Sequence, residues 1–512
     1  MKTYKSFLVL MLGSLILAGV SSCKKQLEAV VPQDRLSLSK TLTDPGAAQT
    51  LYNGVYSDFR SYNGTFFLLG EMRSDIWTDG LYTESGDGTL IQLYDQNISA
   101  LSVPAGNWAG FYNLLYQVNN VINLFPKSPI PAAQRDQELA EMYGIRAFIY
   151  YTMLKTWGGV PLDTIPITTI SSPAATYKPR SSADSIMIQI KSDIERSLTL
   201  FNGNNAFPAG KRVYWNRVAT LTLKGDVYIW SGTLMGGGTA DLTTAQSALQ
   251  EVENLQGPAL NLDANYADIF DPNKKLNNPE IIFALNYELN QAQQFTFSEF
   301  TVNNIQAKTL SFAQSNDPTQ NVSYVYPYVG GANRVGMNAA MIAKLTSDSI
   351  PDKRIAGTFK IMYGNSAPFS IRGIMLTKWI GQASGTSQAY TNDYPIYRYA
   401  DVLLLMAEAK AKLGQDPSPE IDSIRRRAYG PSYIPYVNGS VTDNMNAILN
   451  EGLHEFIGEG KRWWALRRAG DQYVYNAINP AYLSPGSTAK LLLPISVSML
   501  NNDPLLTQTP GY

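Results

Sequence analysis

The sequence predicts a mainly α-helical protein: a tetratricopeptide-like scaffold of helical pairs with long irregular insertions and a few short strands. Three observations predict it. Apolar residues recur at helical spacing in several long segments. Alanine and glycine occupy positions in those segments where a second helix can close up. The stretches between them are dense in Gly, Asp, Ser and Thr or hold short apolar runs. The tetratricopeptide signature itself is not matched residue for residue, so the prediction rests on periodicity.

Lys2 and Lys5 open the chain, followed by an apolar run from Phe7 to Leu17 and the sequence Val20-Ser21-Ser22-Cys23. This is the pattern of a lipoprotein signal peptide over residues 1–22. The run is shorter than the roughly 18 residues a bilayer span needs, and no later segment is long and apolar enough. A thiol is the chemical acceptor of the diacylglyceryl group, so Cys23 is expected to be lipidated, an anchor and not a catalyst. A tether over 23–36 follows.

Asp44-Pro45-Gly46 starts a helix through Ala48, Leu51, Val55 and Phe59, with Asp as cap and Pro in the first turn. From Tyr62 to about Gly106 the composition predicts loop. Trp108 to Leu124 is helical, with Trp108, Phe111, Leu115, Val118 and Ile122 on one stripe. The spacing then predicts a long helix from Ala132 to Trp157, with Ala140, Gly144 and Ala147 as its small positions and Gly158-Gly159-Val160-Pro161 as its break. Ser182 to Leu200 and Asn216 to Trp230 read as a pair, as do Tyr399 to Leu413 and Ser418 to Ala428. A last helix is predicted over Asn446 to Arg468. Ile281 to Leu285 is a short apolar strand and Phe295 to Val302 a mixed run. In Ser323-Tyr324-Val325-Tyr326-Pro327-Tyr328-Val329 the tyrosines alternate, which on an extended segment puts all three on one face. Pro327 lacks an amide hydrogen and confines the segment to a sheet edge or an irregular loop.

With a net charge of −1 and 45% hydrophobic residues, the composition carries no bias toward nucleic acid. The one cysteine leaves no internal disulfide, so stability must come from a large core. The 31 tyrosines and 8 tryptophans suit both helical cores and the stacking of sugar rings. Catalytic signatures are sparse. His454, the sole histidine, lies inside a helix with no cysteine or second histidine to build a metal site or triad. No serine nucleophile elbow or phosphate loop is present, since Gly236-Gly237-Gly238-Thr239 has no following lysine. A glycosidase needs only two carboxylates, so among 42 acidic residues that option stays open. Asp271-Pro272-Asn273-Lys274 lacks the glycine and terminal glutamate of a known calcium loop. Neither a metal nor a cofactor is expected.

Four blocks, in order, resemble the SusD/RagB group of Bacteroidetes outer-membrane nutrient-binding lipoproteins. They are Gly144 to Tyr151 running into Lys155 to Leu162; Tyr394 to Ala409; Glu455 to Arg468; and Leu493-Pro494-Ile495 with Asn502 to Tyr512. The resemblance implies a SusD-like fold, with an N-terminal part over 37–235 and a C-terminal part over 236–512 packed as one composite domain. It implies a nonenzymatic cell-surface lipoprotein that captures an oligosaccharide and delivers it to a TonB-dependent transporter of the SusC type. A peptide ligand, or a surface glycoside hydrolase, is the alternative. It also implies outer-membrane localisation facing the exterior. The residues after Cys23 are Lys24 and Lys25, so the outward orientation follows from the resemblance and not from the tether. Within the blocks, Arg398, Asp401, Glu459, Arg462, Arg467 and Arg468 read as buried ion pairs and stacked guanidinium groups.

A sugar offers C–H faces to aromatic rings and hydroxyls to carboxylates, amides and guanidinium groups. Two insertion segments combine these. Arg73 to Tyr82 supplies Asp75, Trp77, Asp79 and Tyr82; the later one supplies Tyr324, Tyr326 and Tyr328 with Asn333 and Arg334. The expected ligand-binding residues are therefore Asp75, Trp77, Asp79, Tyr82, Tyr324, Tyr326, Tyr328 and Arg334.

Overall fold

The computed structural model describes residues 38–80, 88–167 and 170–512; the expected signal peptide, Cys23 and Tyr82 lie outside the described residues. The N-terminal helices are α1 (Pro45–Phe59), α2 (Asn63–Glu71), α3 (Gly88–Tyr94), α4 (Ala109–Leu124), α5 (Ala132–Trp157), α6 (Ala183–Phe201), α7 (Arg217–Leu234) and α8 (Gly238–Glu253), with strand β1 (Trp77–Asp79) after α2. An insertion follows: β2 (Ile281–Leu285), β3 (Leu310–Ser311), α9 (Val322–Val325), β4 (Val335–Met337), α10 (Ala339–Thr346), α11 (Lys353–Thr358), β5 (Phe359–Gly364), β6 (Ile371–Leu376), β7 (Gln382–Ser384), β8 (Ser387–Ala389) and β9 (Tyr394–Arg398). The chain ends with α12 (Tyr399–Lys412), α13 (Ser418–Tyr429), α14 (Val441–Phe456), α15 (Arg462–Ala469), α16 (Asp471–Ala477) and α17 (Val497–Asn502).

The helices stack in chain order. Helix α1 packs on α4, α4 on α5, α5 on α6, α6 on α7 and α7 on α8. Helix α8 then packs directly on α12, so the insertion leaves the row and returns to it; α12 continues onto α13 and α14. This is the neighbour-on-neighbour logic of a helical-repeat scaffold. Asp44 caps α1 as predicted, accepting from the Gly46 amide at 2.8 Å; Ser182 caps α6, and Asn216 accepts from the Ala219 amide at 2.9 Å. Small residues permit close approach. A Cβ on Gly144 would lie 2.1 Å from the Trp215 indole nitrogen, and one on Gly225 would lie 2.6 Å from the Leu249 side chain of α8. Among the described residues no helix is long and apolar enough to cross a membrane.

Two predictions about elements need correction. The stretch from Tyr62 to Gly106 is not all loop: it holds α2, β1 and α3. The helix over 446–468 is two, α14 and α15, because Gly458 and Gly460 take φ of 82° and 70° between them. Their amides donate to the buried Glu71 carboxylate at 2.6 and 2.7 Å, a small anion nest that a continuous helix could not form. Helix α2 reaches this turn so closely that a Cβ on Gly70 would meet the Gly460 carbonyl oxygen at 1.7 Å.

The strands are short and antiparallel, pairing β1 with β4, β2 with β9, β5 with both β3 and β6, and β7 with β8. Arg398 stands where β9 becomes α12. Its guanidinium is fully buried and bonds Glu280 at 2.5 Å, Glu455 at 2.6 Å and Glu459 at 2.9 Å. Lys378 joins at Glu459 (2.7 Å), and Arg427 bridges Glu280 and Glu455. The charged residues of the family-like blocks are thus an interior ion lattice, as their sequence context predicts. Burial opposes the charge on Glu459, but Arg398, Lys378 and Lys461 outweigh it and hold its carboxyl down at about 2.

Candidate ligand site

The two segments singled out in the sequence lie side by side. Strand β1 pairs with β4 in the register Trp77↔Met337, Thr78↔Gly336 and Asp79↔Val335, and the Gly80 amide donates to the Arg334 carbonyl at 2.9 Å. What they present differs from expectation. Trp77 is in the core, 4% exposed, with Phe300 and Phe67 edge-on at 4.8 and 6.2 Å. Asp75 is not a ligand contact either: it takes both prongs of Arg462 at 2.9 Å. Burial works against its charge, and the Arg462 guanidinium more than compensates, leaving the carboxyl below the usual range. Trp77 is drawn in at the start of the β1–β4 pairing, and Asp75, just before it, by Arg462 of α15. Asp79 stays exposed and accepts the Tyr94 hydroxyl.

The tyrosine row is not an extended strand. Asn321 accepts from the Ser323 amide at 2.9 Å and starts the single turn α9, after which Tyr326 donates its amide to the Val322 carbonyl at 2.9 Å. A helical turn rotates residues two apart onto different faces, so Tyr324 points to solvent, 66% exposed, while Tyr326 and Tyr328 are half-buried. The last two still meet edge-on at 6.3 Å, and Phe312 meets Tyr326 at 5.9 Å. Together they form an aromatic shelf.

A separate small core supports it. Val302, Ala307, Leu310, Val322, Val329, Met362 and Met375 pack together beneath Phe312 and Tyr326, apart from the main core. Lys360 of β5 lies over Phe312 and Tyr326 at 5.1 and 5.8 Å from the ring centroids. The loop after Tyr328 is strapped down by backbone bonds from Gly331 to Val302, Ala332 to Ser298 and Asn333 to Thr301. Arg334 then pairs with Glu299 at 3.3 Å, both part-exposed. Burial pushes the Tyr326 hydroxyl up to about 12, so it remains a neutral hydrogen-bonding group. Phe312 and Lys360 were missed in the sequence, as was Phe295, which is 63% exposed beside Tyr390. Only Phe295 carried a signal, as an aromatic ending a Gln-rich run.

Two cavities compete with the shelf. A polar cleft of about 720 Å³ lies between the Lys211–Tyr214 stretch and the β2–β9 sheet. Its carboxylates are already engaged by Lys275, which reaches Asp393 at 3.1 Å, Glu288 at 3.0 Å and the Tyr287 carbonyl at 2.5 Å, while Arg212 donates to the Ala259 carbonyl. An interior gap of about 100 Å³ is ringed by Asp226, Asp401 and Glu459, each held by Lys or Arg. That volume accommodates a few waters at ~30 Å³ each, not a sugar.

Comparison with known proteins fits this architecture. The model described as "SusD family" matches residues 363–512, and that described as "Starch-binding associating with outer membrane" matches 45–207. The solved structure of NanU from B. fragilis superposes with a TM-score of 0.84 at 30% identity, covering 94% of this chain and 100% of that one. The chain belongs to the SusD family. A SusD superfamily protein from Bacteroides vulgatus superposes with a TM-score of 0.81 at 29% identity, over 92% of this chain and 99% of its own. SusD-like protein P38 of Formosa agariphila is 25% identical over the whole of both chains. The fold class read from helical periodicity is therefore that of this family.

Proposed function

We propose that this SusD-family chain is a cell-surface lipoprotein that captures an oligosaccharide on the aromatic shelf and delivers it to a TonB-dependent transporter of the SusC type. In this reading Cys23 carries the lipid that holds the protein to the outer membrane, facing outward. Tyr324, Tyr326, Tyr328 and Phe312 stack on sugar rings, while Arg334, Glu299 and Lys360 hydrogen-bond to hydroxyls. Trp77 and Asp75 have no part in it.

The observation that carries the proposal is the shelf itself: exposed and half-exposed rings with the part-exposed Lys360 over them, on a surface braced by its own small core. Family membership supports binding over catalysis, and one matched family description names starch binding and the outer membrane. A protein named as a laminarin-binding SusD-like protein has the same fold, with a TM-score of 0.69 at 20% identity over 91% of this chain. The test is a calorimetric screen of the protein against plant, microbial and host glycans, with peptides as controls. For any glycan bound, the variant with Tyr324, Tyr326 and Tyr328 all changed to alanine should bind at least about tenfold more weakly, since each stacking ring contributes on the order of 1 kcal/mol. Unchanged affinity in that variant, with wild-type melting, refutes the shelf as the site. Peptide binding without glycan binding refutes the cargo.

A further inference from the structure

Tertiary structure gives the single histidine companions that its helix does not. His454 on α14 is 3% exposed. Its Nδ1 lies 2.9 Å from the Asn450 carbonyl oxygen, which only accepts, so the ring hydrogen belongs on Nδ1 and the Nε2 lone pair points away from the helix. Nε2 is buried and has no hydrogen-bond partner. What faces it is acidic. Asp348, in the loop between α10 and α11, has an oxygen 4.0 Å from Nε2, and ligand atoms of Asp348, Asp352 and His454 all lie within 4.8 Å of one another. A buried, unpartnered lone pair beside two carboxylates is a costly arrangement unless a cation lies between them.

We infer that Asp348, Asp352 and His454 form a binding site for a divalent transition-metal ion of the zinc type. One imidazole nitrogen with two carboxylates is a donor set for zinc; calcium prefers oxygen alone. The outer contacts are built for it. The Asn450 carbonyl fixes the imidazole tautomer, the Tyr429 hydroxyl donates to Asp348 at 2.9 Å, and Asp352 is held by the buried Arg354, whose guanidinium reaches both of its oxygens at 2.7–3.0 Å and whose amide donates to it at 2.9 Å, leaving it only its remaining lone pairs for a metal. Zinc bonds of about 2.0–2.2 Å require the three donors to draw closer together. Asp348 has the freedom to move, its side chain being 39% exposed. It borders a surface pocket of about 190 Å³ that also reaches Asn450 and Glu451, which provides an entry path and room for a water as fourth ligand. The metal would tie the α10–α11 loop of the insertion to α14 of the scaffold.

The test uses the full chain in detergent, purified without a histidine tag, stripped with chelator and titrated with zinc sulfate against a chromophoric competitor. One zinc per chain should bind at micromolar concentration or tighter, and saturating zinc should raise the melting temperature. Asp348→Asn changes an exposed residue and should fold normally, yet weaken zinc by about tenfold or more and abolish the melting shift. His454→Gln should do the same. Because the chain has one histidine, ¹⁵N-histidine labelling gives a single imidazole, whose Nε2 resonance should move on zinc addition. Binding only at millimolar zinc, equal affinity in Asp348→Asn, or an Nε2 signal that ignores zinc would each overturn the site.

Discussion

Replacing Trp77 by alanine removes an indole that is 4% exposed and set edge-on against Phe300 and Phe67. A buried tryptophan withdraws ~150–250 Å² from water, which at ~25 cal/mol per Å² amounts to about 4–6 kcal/mol. Alanine keeps a part of that and the site collapses partly, so the expected loss of stability is about 3–5 kcal/mol. Phenylalanine makes a sharper comparison. The Trp77 indole nitrogen is buried without a hydrogen-bond partner, and removing such a donor recovers about 1–3 kcal/mol against the smaller ring volume. Trp77→Phe should therefore stay within about 1.5 kcal/mol of wild type, as size-tolerant core exchanges do. Urea unfolding followed by far-ultraviolet circular dichroism measures both variants, and calorimetry with a bound glycan measures their affinity. A Trp77→Ala protein with wild-type stability and lost glycan affinity would refute the core assignment and restore Trp77 to the ligand surface.

Two further predictions concern the interior. Burial pushes the carboxyls of Glu71 and Glu141 up to about 7 and about 8. Both hold their protons more tightly in the folded state than in the unfolded chain. Their contribution to stability is therefore full below pH ~4.5, the ordinary glutamate range, and is lost as the pH rises through about 7 and 8. Unfolding measured across that window should show stability falling with pH, and Glu141→Gln, which cannot ionise, should flatten the slope; an identical slope in that variant removes Glu141 from the account. Arg398→Leu removes the cation shared by three buried carboxylates, each of which keeps at least one other Lys or Arg partner, and should cost about 3–5 kcal/mol, the usual penalty for deleting one side of a buried pair. Unfolding midpoints matching wild type would mean that the lattice relaxes around the loss.

The scaffold was largely legible because its rules are local. Asp44, Ser182 and Asn216 announce helix starts through side-chain oxygens that need partners within three residues. Helix α5 runs over the predicted residues, Ala132 to Trp157. The failures are equally physical. Helix α8 begins at Gly238, inside a glycine run that reads as a breaker, and its apolar face of Leu242, Ala245, Leu249 and Val252 is stabilised by packing on α7 and α12. The break at Gly458 and Gly460 is set by Glu71, distant in sequence, whose carboxylate gathers both amides.

The proposed ligand site was legible in its ingredients and not in its geometry. Correct pairing of the two insertion segments could not be read locally, because the β1–β4 register decides which side of each residue faces inward, and a one-residue slip inverts the choice. Trp77 and Asp79, two apart, share a face of β1, and they differ because Trp77 packs on Phe300 and Phe67 while Asp79 stands at the exposed end of the strand. The tyrosine spacing misled for a related reason: alternation has meaning only on an extended backbone, and Asn321 caps a helical turn just before Tyr324. Tyr326 and Tyr328 still meet edge-on, through a different conformation from the extended one. His454 teaches the converse. No spacing rule joins it to Asp348 and Asp352, which lie about a hundred residues earlier, and only the packing of α11 against α14 brings the three donors together. Absence of a second histidine in a sequence is therefore weak ground for excluding a metal, when carboxylates from a distant loop can complete the set.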